Sequence, residues 1–319
     1  MAQPQILVVG SVAYDSVASP EGRRDEQLGG TAVYFSVTAS YFSSAGVVGV
    51  VGNDFKTEDI GMLQAKGIDT SGLAYADGET FRWSGSYEDD LNTAVTLDTQ
   101  LNVFETFSPV LTEEHKSTPY LFLGNIDPEL QHLVLDQMSP RPGLVACDTM
   151  NLWIDIKRDS LARLIGKVDV LLINEAEASQ LTGERSLVSA ARSLMDRGLK
   201  TLVVKRGEYG AIIFHPSFTF AVPAYPMATV KDPTGAGDTF AGGFMGYLAA
   251  VGAGVDEDDG DAIRRAGVIG SVMASFTVED FGLDRLRNLT QKEINGRFDA
   301  FTDLAHFQPL SNGQRLPTP

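Results

Sequence analysis

Between Lys231 and Phe244 the chain reads Lys-Asp-Pro-Thr-Gly-Ala-Gly-Asp-Thr-Phe-Ala-Gly-Gly-Phe. Pro233 and two glycines make a sharp turn, and the amphipathic run from Asp238 to Val251 then begins a helix. Gly235, Ala236 and Gly237 would therefore present unpaired backbone N–H groups at a positive helix end, where an anionic phosphate is stabilised. Small side chains let the phosphate come close. Asp238, one position further on, is placed to take a proton from a hydroxyl attacking phosphorus. Loose phosphoryl-transfer transition states need mostly positioning and charge stabilisation, so one carboxylate beside a backbone cradle is a sufficient core. The same residues also read as a glycine-rich turn whose aspartate caps a helix, and on this window alone the two readings weigh evenly.

Other chemistries lack their residues. No Gly-x-x-x-x-Gly-Lys-Ser/Thr is present, and no Gly-x-Gly-x-x-Gly follows a strand, which disfavours a P-loop and a dinucleotide dehydrogenase. There is no zinc spacing among the four histidines, no Gly-x-Ser-x-Gly elbow, and the single cysteine, Cys147, cannot form an internal disulfide. With 25 Lys+Arg against 42 Asp+Glu, the net charge of −17 repels nucleic-acid backbones and anionic membranes. No apolar run approaches the ~20 residues of a bilayer span. The N-terminus carries no basic region or cleavage site, so a cytoplasmic location is expected.

The elements that must position these residues alternate. Short apolar runs at Ile6 to Val9, Val47 to Val51, Tyr120 to Leu123, Leu144 to Cys147, Val170 to Ile173, Leu202 to Val204 and Ala211 to Phe214 read as strands covered on both faces. Helical stretches lie between them, at about residues 31–43, 58–66, 128–138, 175–181, 187–197, 238–251 and 261–277. The expected class is α/β, three layers with a mostly parallel central sheet. From Glu79 to Phe104 the rhythm breaks. Phe81, Trp83 and Tyr87, then Val95, Leu97, Leu101 and Val103, recur at even spacing around the polar turn Glu88 to Thr93. That pattern predicts a small antiparallel sheet paired with the chain around Val12 to Leu28, a flap over the strand ends where ligands of parallel sheets sit. A plain edge hairpin would carry the same pattern.

With these residues in place, the window at 231–244 resembles the second signature of the PfkB (ribokinase-like) family of carbohydrate and nucleoside kinases. Three further segments resemble that family in the right order. Gly29-Gly30, a helix, then Val48-Gly49-Val50-Val51-Gly52-Asn53-Asp54 looks like its N-terminal signature. Asn174-Glu175-Ala176-Glu177 resembles its Asn-x-x-Glu motif, and Val203 to Gly210 is similar to its nucleotide-phosphate strand and turn. The resemblance implies a single ribokinase-like domain over residues 1–319, with a lid from about 12–30 and 79–107 and a large α/β body from the remainder. It implies ATP and Mg²⁺, with Asp238 as general base and the amides of Gly235, Ala236 and Gly237 as anion hole. Glu177 would orient Mg²⁺ through water, and Asn174, Lys205, Gly207, Gly210, Gly267 and Ser271 would line the nucleotide side. Asp232 and Thr234 match positions that hold a monovalent cation, K⁺, in several relatives. On the acceptor side Asp15, Gly29, Gly30 and Asn125 would meet substrate hydroxyls, with Phe81 and Trp83 covering a sugar ring or nucleobase.

Several of these residues have plainer readings. Asn174 and Glu177 could cap a helix, Gly267 and Ser271 could serve helix packing, and Arg23, Arg24 and Arg82 read as solvated rather than as a phosphate clamp. The stretch Gly-Gly-Thr-Ala-Val-Tyr-Phe-Ser also lacks the asparagine that follows the double glycine in ribokinases proper. The expectation is an ATP-dependent kinase acting on a hydroxyl of a small sugar or polyol. A nucleoside is the alternative acceptor, and a non-catalytic sugar or nucleotide sensor is the alternative of another class. Homodimerisation through the lid is also implied.

Overall fold

The structure, a computed structural model, describes residues 3–88 and 90–306. Its uninterrupted apolar runs form one nine-stranded sheet. The strands are β1 (Ile6–Val9), β4 (Ala45–Val51), β5 (Asp69–Tyr75), β8 (Tyr120–Leu123), β9 (Leu144–Asp148), β10 (Val170–Asn174), β11 (Thr201–Lys205), β12 (Ala211–His215) and β13 (Phe218–Val222). Their order is β13-β12-β11-β10-β9-β8-β1-β4-β5, parallel from β11 to β5, with β12 and β13 added antiparallel. Neighbouring residues within a strand feed opposite cores, as a parallel sheet covered on both faces requires. Ile6 and Val8 join Phe35, Phe244 and Met273 in one core, while Leu7 and Val9 join Val134, Leu161 and Leu194 in the other. The three-layer α/β/α architecture follows.

A second sheet has the order β3-β2-β6-β7, from β2 (Ala13–Ser19), β3 (Gly22–Gly29), β6 (Phe81–Ser86) and β7 (Val95–Gln100). It is antiparallel except for the β2–β6 pair, where Asp15 lies opposite Trp83. The root of this sheet is locked to the body by Asp54. Its Oδ1 accepts from the Thr80 amide and hydroxyl at 2.7 Å each, and its Oδ2 accepts from Arg82 at 2.8 Å. Arg82 is thus an anchor and not a phosphate ligand. Arg23 pairs with Asp25, and Arg24 lies over the Phe281 ring.

Two helices bring the glycine motifs together. The Thr31–Ala39 helix starts at Gly30, and the Ala236–Val251 helix packs across it. A Cβ at Gly242 would lie 2.5 Å from the Phe35 carbonyl oxygen, so the two helix backbones approach as only glycine permits. The N-termini of both helices consequently open into one crevice, at the carboxyl ends of β1, β9, β10 and β11. Among the described residues no helix is long and apolar enough to cross a membrane.

Candidate active site

The anion-hole helix begins at Ala236, two residues earlier than the sequence pattern suggests, with Gly235 as its N-cap in the left-handed region at φ 74°. The Ala236 amide donates to the Pro233 carbonyl at 3.2 Å, closing the turn. Ala236 therefore leaves the expected set of free amides, because the tight turn consumes its N–H. Among the described residues no hydrogen bond occupies the amides of Gly235, Gly237 and Asp238. A Cβ at Gly235 would lie 2.5 Å from the ring of buried Tyr34, so the turn rests directly on that ring. Asp238 stands half-buried in the first turn. Burial and the like charge of Asp148 raise its carboxyl, Lys205 and Thr31 oppose them, and the balance is about 7.

Asp148 ends β9 and Lys205 ends β11, and their side chains meet at 2.6 Å between Asp148 Oδ2 and Lys205 Nζ. The Asp148 side chain is 6% exposed and that of Lys205 19%. Burial works against the Lys205 charge, but the carboxylates of Asp148, Glu177 and Asp238 outweigh it and hold the ammonium above the usual lysine range. A Cβ at Gly237 would lie 3.2 Å from Lys205 Nζ, which puts the ammonium beside the anion hole. Asp148 gave no signal in the sequence. A lone aspartate ending a strand matches no motif, and its partner is 57 positions away.

Asn174 and Glu177 form a capping box on the Glu175–Thr182 helix. Asn174 Oδ1 accepts from the Glu177 amide, and Glu177 Oε2 accepts from the Asn174 amide, both at 2.8 Å. The capping reading is therefore realised. Glu177 also faces the crevice: burial and Asp148 push its carboxyl up to about 7, against Lys205 and the Asn174 amide. Glu177 Oε2 is taken by the cap, and no hydrogen bond among the described residues takes Oε1. No three His, Cys, Asp or Glu side chains among the described residues cage a metal. One half-buried carboxylate oxygen fits a Mg²⁺ that keeps most of its water.

On the opposite wall Asp15 is 6% exposed. Burial and the nearby Asp232 and Asp238 push it up to about 7, with the Gly30 amide, 3.4 Å from Oδ2, pulling the other way. A Cβ at Gly29 would fall 2.0 Å from Asp15 Oδ2, and one at Gly30 would fall 2.5 Å from the Ser11 carbonyl. The double glycine is thus what lets Asp15 and the helix start coexist. Trp83, opposite Asp15 on β6, shares its face of the small sheet. Its indole packs against Gly85, where a Cβ would come 2.2 Å from the ring, and its Nε1 donates to Thr96 Oγ1 at 3.3 Å. Further along that face, Tyr87 accepts a 3.3 Å hydrogen bond from Thr234. The face carrying Asp15 and Trp83 therefore looks onto the anion-hole loop.

Two acceptor-side candidates are engaged by neighbouring side chains. The Phe81 ring stacks on Phe104 at 5.3 Å, and Phe104 on Phe107 at 5.6 Å, so Phe81 is spent on packing. Asn125 Oδ1 accepts from Trp153 Nε1 at 3.0 Å, tying it to the Asn151–Ile156 helix, and no hydrogen bond among the described residues joins it to Asp15. On the nucleotide side, Gly207 (φ 55°) and Gly210 (φ 85°) shape the turn after β11. Asn92 of the small sheet reaches that turn, accepting from the Glu208 amide at 3.2 Å. Gly267 is closed by Ile213, which a Cβ would meet at 2.5 Å, and the Ser271 hydroxyl donates to the Pro223 carbonyl at 2.8 Å. Both serve helix-on-sheet packing. Asp232 accepts from the Thr234 amide at 2.9 Å and from the Gly282 amide at 3.0 Å. It makes no ion pair among the described residues, and burial raises its carboxyl.

This architecture and sequence were compared with known proteins. The profile of the pfkB family carbohydrate kinases matches residues 3–287. The chain is 31% identical to a cytidine kinase of Thermococcus kodakarensis over 248 residues, 76% of this chain and 88% of that protein. The fold is similar to the nucleoside kinase of Methanocaldococcus jannaschii, with a TM-score of 0.73, 21% identity, and 94% of this chain and 100% of that one covered. It is also similar to a fructokinase of Vibrio cholerae bound to fructose, ADP and potassium, with a TM-score of 0.76, 18% identity, and 93% and 99% of the two chains covered.

Proposed function

The chain belongs to the pfkB family of carbohydrate kinases, phosphotransferases acting on alcohol groups, and from that premise we propose that it transfers the γ-phosphoryl group of ATP to a hydroxyl of a ribonucleoside. The observation that carries the acceptor class is the Trp83 indole, packed against Gly85 on the face that holds Asp15. A ribose bound by Asp15 would set its base beside that ring, and a flat aromatic surface favours a nucleobase. The similarity to a cytidine kinase over 88% of that protein's length supports the same reading.

In this reading Asp15 and the Gly29–Gly30 backbone hold the acceptor, and the small sheet acts as a lid. Asp238 takes the hydroxyl proton as the acceptor oxygen bonds to the γ-phosphorus. The bond from phosphorus to the β,γ-bridging oxygen breaks, and ADP leaves with the electron pair. The free amides of Gly235, Gly237 and Asp238 stabilise charge on the transferring group. Lid contacts at Thr234 and Glu208 keep out water, which would otherwise take the acceptor's place. Mg²⁺, when bound, would neutralise charge on the β- and γ-phosphates, and Glu177 would hold it through water. Asp232, a buried carboxylate that makes no ion pair among the described residues, with the adjacent Lys231 turned to Asp280, suits a neighbouring K⁺. Homodimerisation through the lid is consistent with the exposed Val95 and Leu97 on its outer strand.

A free sugar or polyol is the second reading, favoured by the diversion of Phe81 into packing, which reduces the aromatic surface of that face to Trp83 and Tyr87. An ADP-release screen with Mg²⁺ and K⁺ across nucleosides, pentoses, hexoses and inositols tests both. Turnover on a nucleoside is expected, and turnover confined to sugars would reverse the order. Ligand binding with no turnover by either the wild type or Asp238→Asn would make the protein a sensor.

A further inference from the structure

We propose that Asp148 is a positioning residue for phosphoryl transfer: it fixes the Lys205 ammonium beside the anion hole, leaves two of its N–H groups for the γ-phosphoryl oxygens, and keeps that cation off Asp238. The inference rests on the kinase reading above. An ammonium has three donors, and among the described residues Lys205 Nζ makes one hydrogen bond, to Asp148 Oδ2 at 2.6 Å. A phosphate oxygen arriving at the Gly237 amide would meet that ammonium without displacing Asp148, since Nζ already flanks Gly237.

Asp148 is itself held at two points besides Lys205. Its Oδ1 accepts from the Thr149 amide at 2.8 Å, and its carbonyl oxygen accepts from Gln131 Nε2 at 3.1 Å. The same Gln131 nitrogen binds the Gly124 carbonyl at 2.8 Å, so the ends of β8 and β9 are stitched together beneath the pair. A buried ion pair is a poor way to add stability, since desolvation cancels much of its attraction. Rigid support makes sense when the direction of the cation matters. Asp238 is the competing partner, close enough for its charge and that of Lys205 to act on each other. Without Asp148, Lys205 would swing to Asp238, bind the base and vacate the anion hole.

Calorimetric binding of the β,γ-imido analogue of ATP and of ADP, with Mg²⁺ and without acceptor, separates this role from a structural one. Lys205→Met is expected to weaken the imido analogue about tenfold or more while ADP changes little, because only the former carries a γ-phosphate. Asp148→Asn is expected to lower kcat about 10²-fold, and to move the acid limb of the kcat/KM profile to lower pH through loss of its like charge as well as pairing of Lys205 with Asp238. The double variant should be no slower than Lys205→Met alone. Additive losses, or an unchanged preference for the imido analogue in Lys205→Met, would overturn the assignment. If a single variant does not fold, the double variant, neutral at both positions, decides. Loss of the imido-analogue preference there is expected, and its retention refutes the role. Wild type that neither binds nucleotide nor turns over any acceptor defeats the kinase reading itself, whereas active wild type with unaffected variants defeats only the role of Asp148.

Discussion

The base role proposed for Asp238 rests on its surroundings. Burial and Asp148 push it up while Lys205 restrains it, and a value of about 7 is close to ideal for proton transfer at neutral pH. Asp238→Asn should lower kcat by about 10²- to 10⁴-fold in an ADP-release assay. Because the base must be ionised, kcat/KM for the acceptor should rise with pH through about 7. Stability should run the other way. Asp15, Glu177 and Asp238 are each raised to about 7, so between about pH 4 and 7 the folded protein keeps protons that the unfolded chain has released. Their contribution is fully present below pH 4 and is lost as pH rises through 7. The melting temperature of the ligand-free protein should fall across that window, and fall less in Asp15→Asn. A flat profile in the wild type would contradict these environments. Local motifs in the sequence singled out all three of these raised carboxyls, and they gave no sign of Asp148, whose setting depends on a strand two places away in the sheet.

The phosphate turn at the head of the Ala236–Val251 helix depends on one residue's conformation. Gly235 sits at φ 74° against the Tyr34 ring. A side chain there meets the left-handed penalty of roughly 1–2 kcal/mol and a steric clash besides. Gly235→Ala should therefore lower the melting temperature, and it should depress kcat more than the acceptor KM, because the displaced amides act on the transferring group. The central strands were legible because burial on both faces leaves an unbroken apolar run. β5 and β13 were not, since each is a half-exposed edge strand: Asp-Thr-Ser-Gly opens β5, and polar exposure alternates along β13. The flap was readable from the even spacing of Phe81, Trp83 and Tyr87. Which of its rings faced the crevice was not, because Phe104 lies beyond the turn and no spacing announces that Phe81 will stack on it.

Across the whole molecule the small sheet meets the body at several separated points, among them Tyr87 to Thr234 and Asn92 to Glu208. One contact touches the phosphate loop and the other the nucleotide turn. The outer strand β7 carries Val95 at 47% and Leu97 at 61% exposure, so a second copy could cover it. Leu97→Lys should shift sedimentation toward monomer if that face is an interface, and unchanged sedimentation of a dimeric wild type would place the interface elsewhere. The division of labour between the two sheets has a longer-range consequence. Asp15 belongs to the small sheet, whereas Lys205 ends a strand of the large sheet and Asp238 sits in the first turn of the Ala236–Val251 helix packed on it. In the proposed reading, choosing an alcohol and activating phosphorus are thus housed on separate scaffolds, joined at the short crossings around Val12, Gly30, Thr80 and Leu101. Evolutionary drift in residues 13–29 and 81–100 can retarget the enzyme while its phosphate chemistry stays untouched. Grafting those two segments from a relative should carry that relative's preferred alcohol along with them.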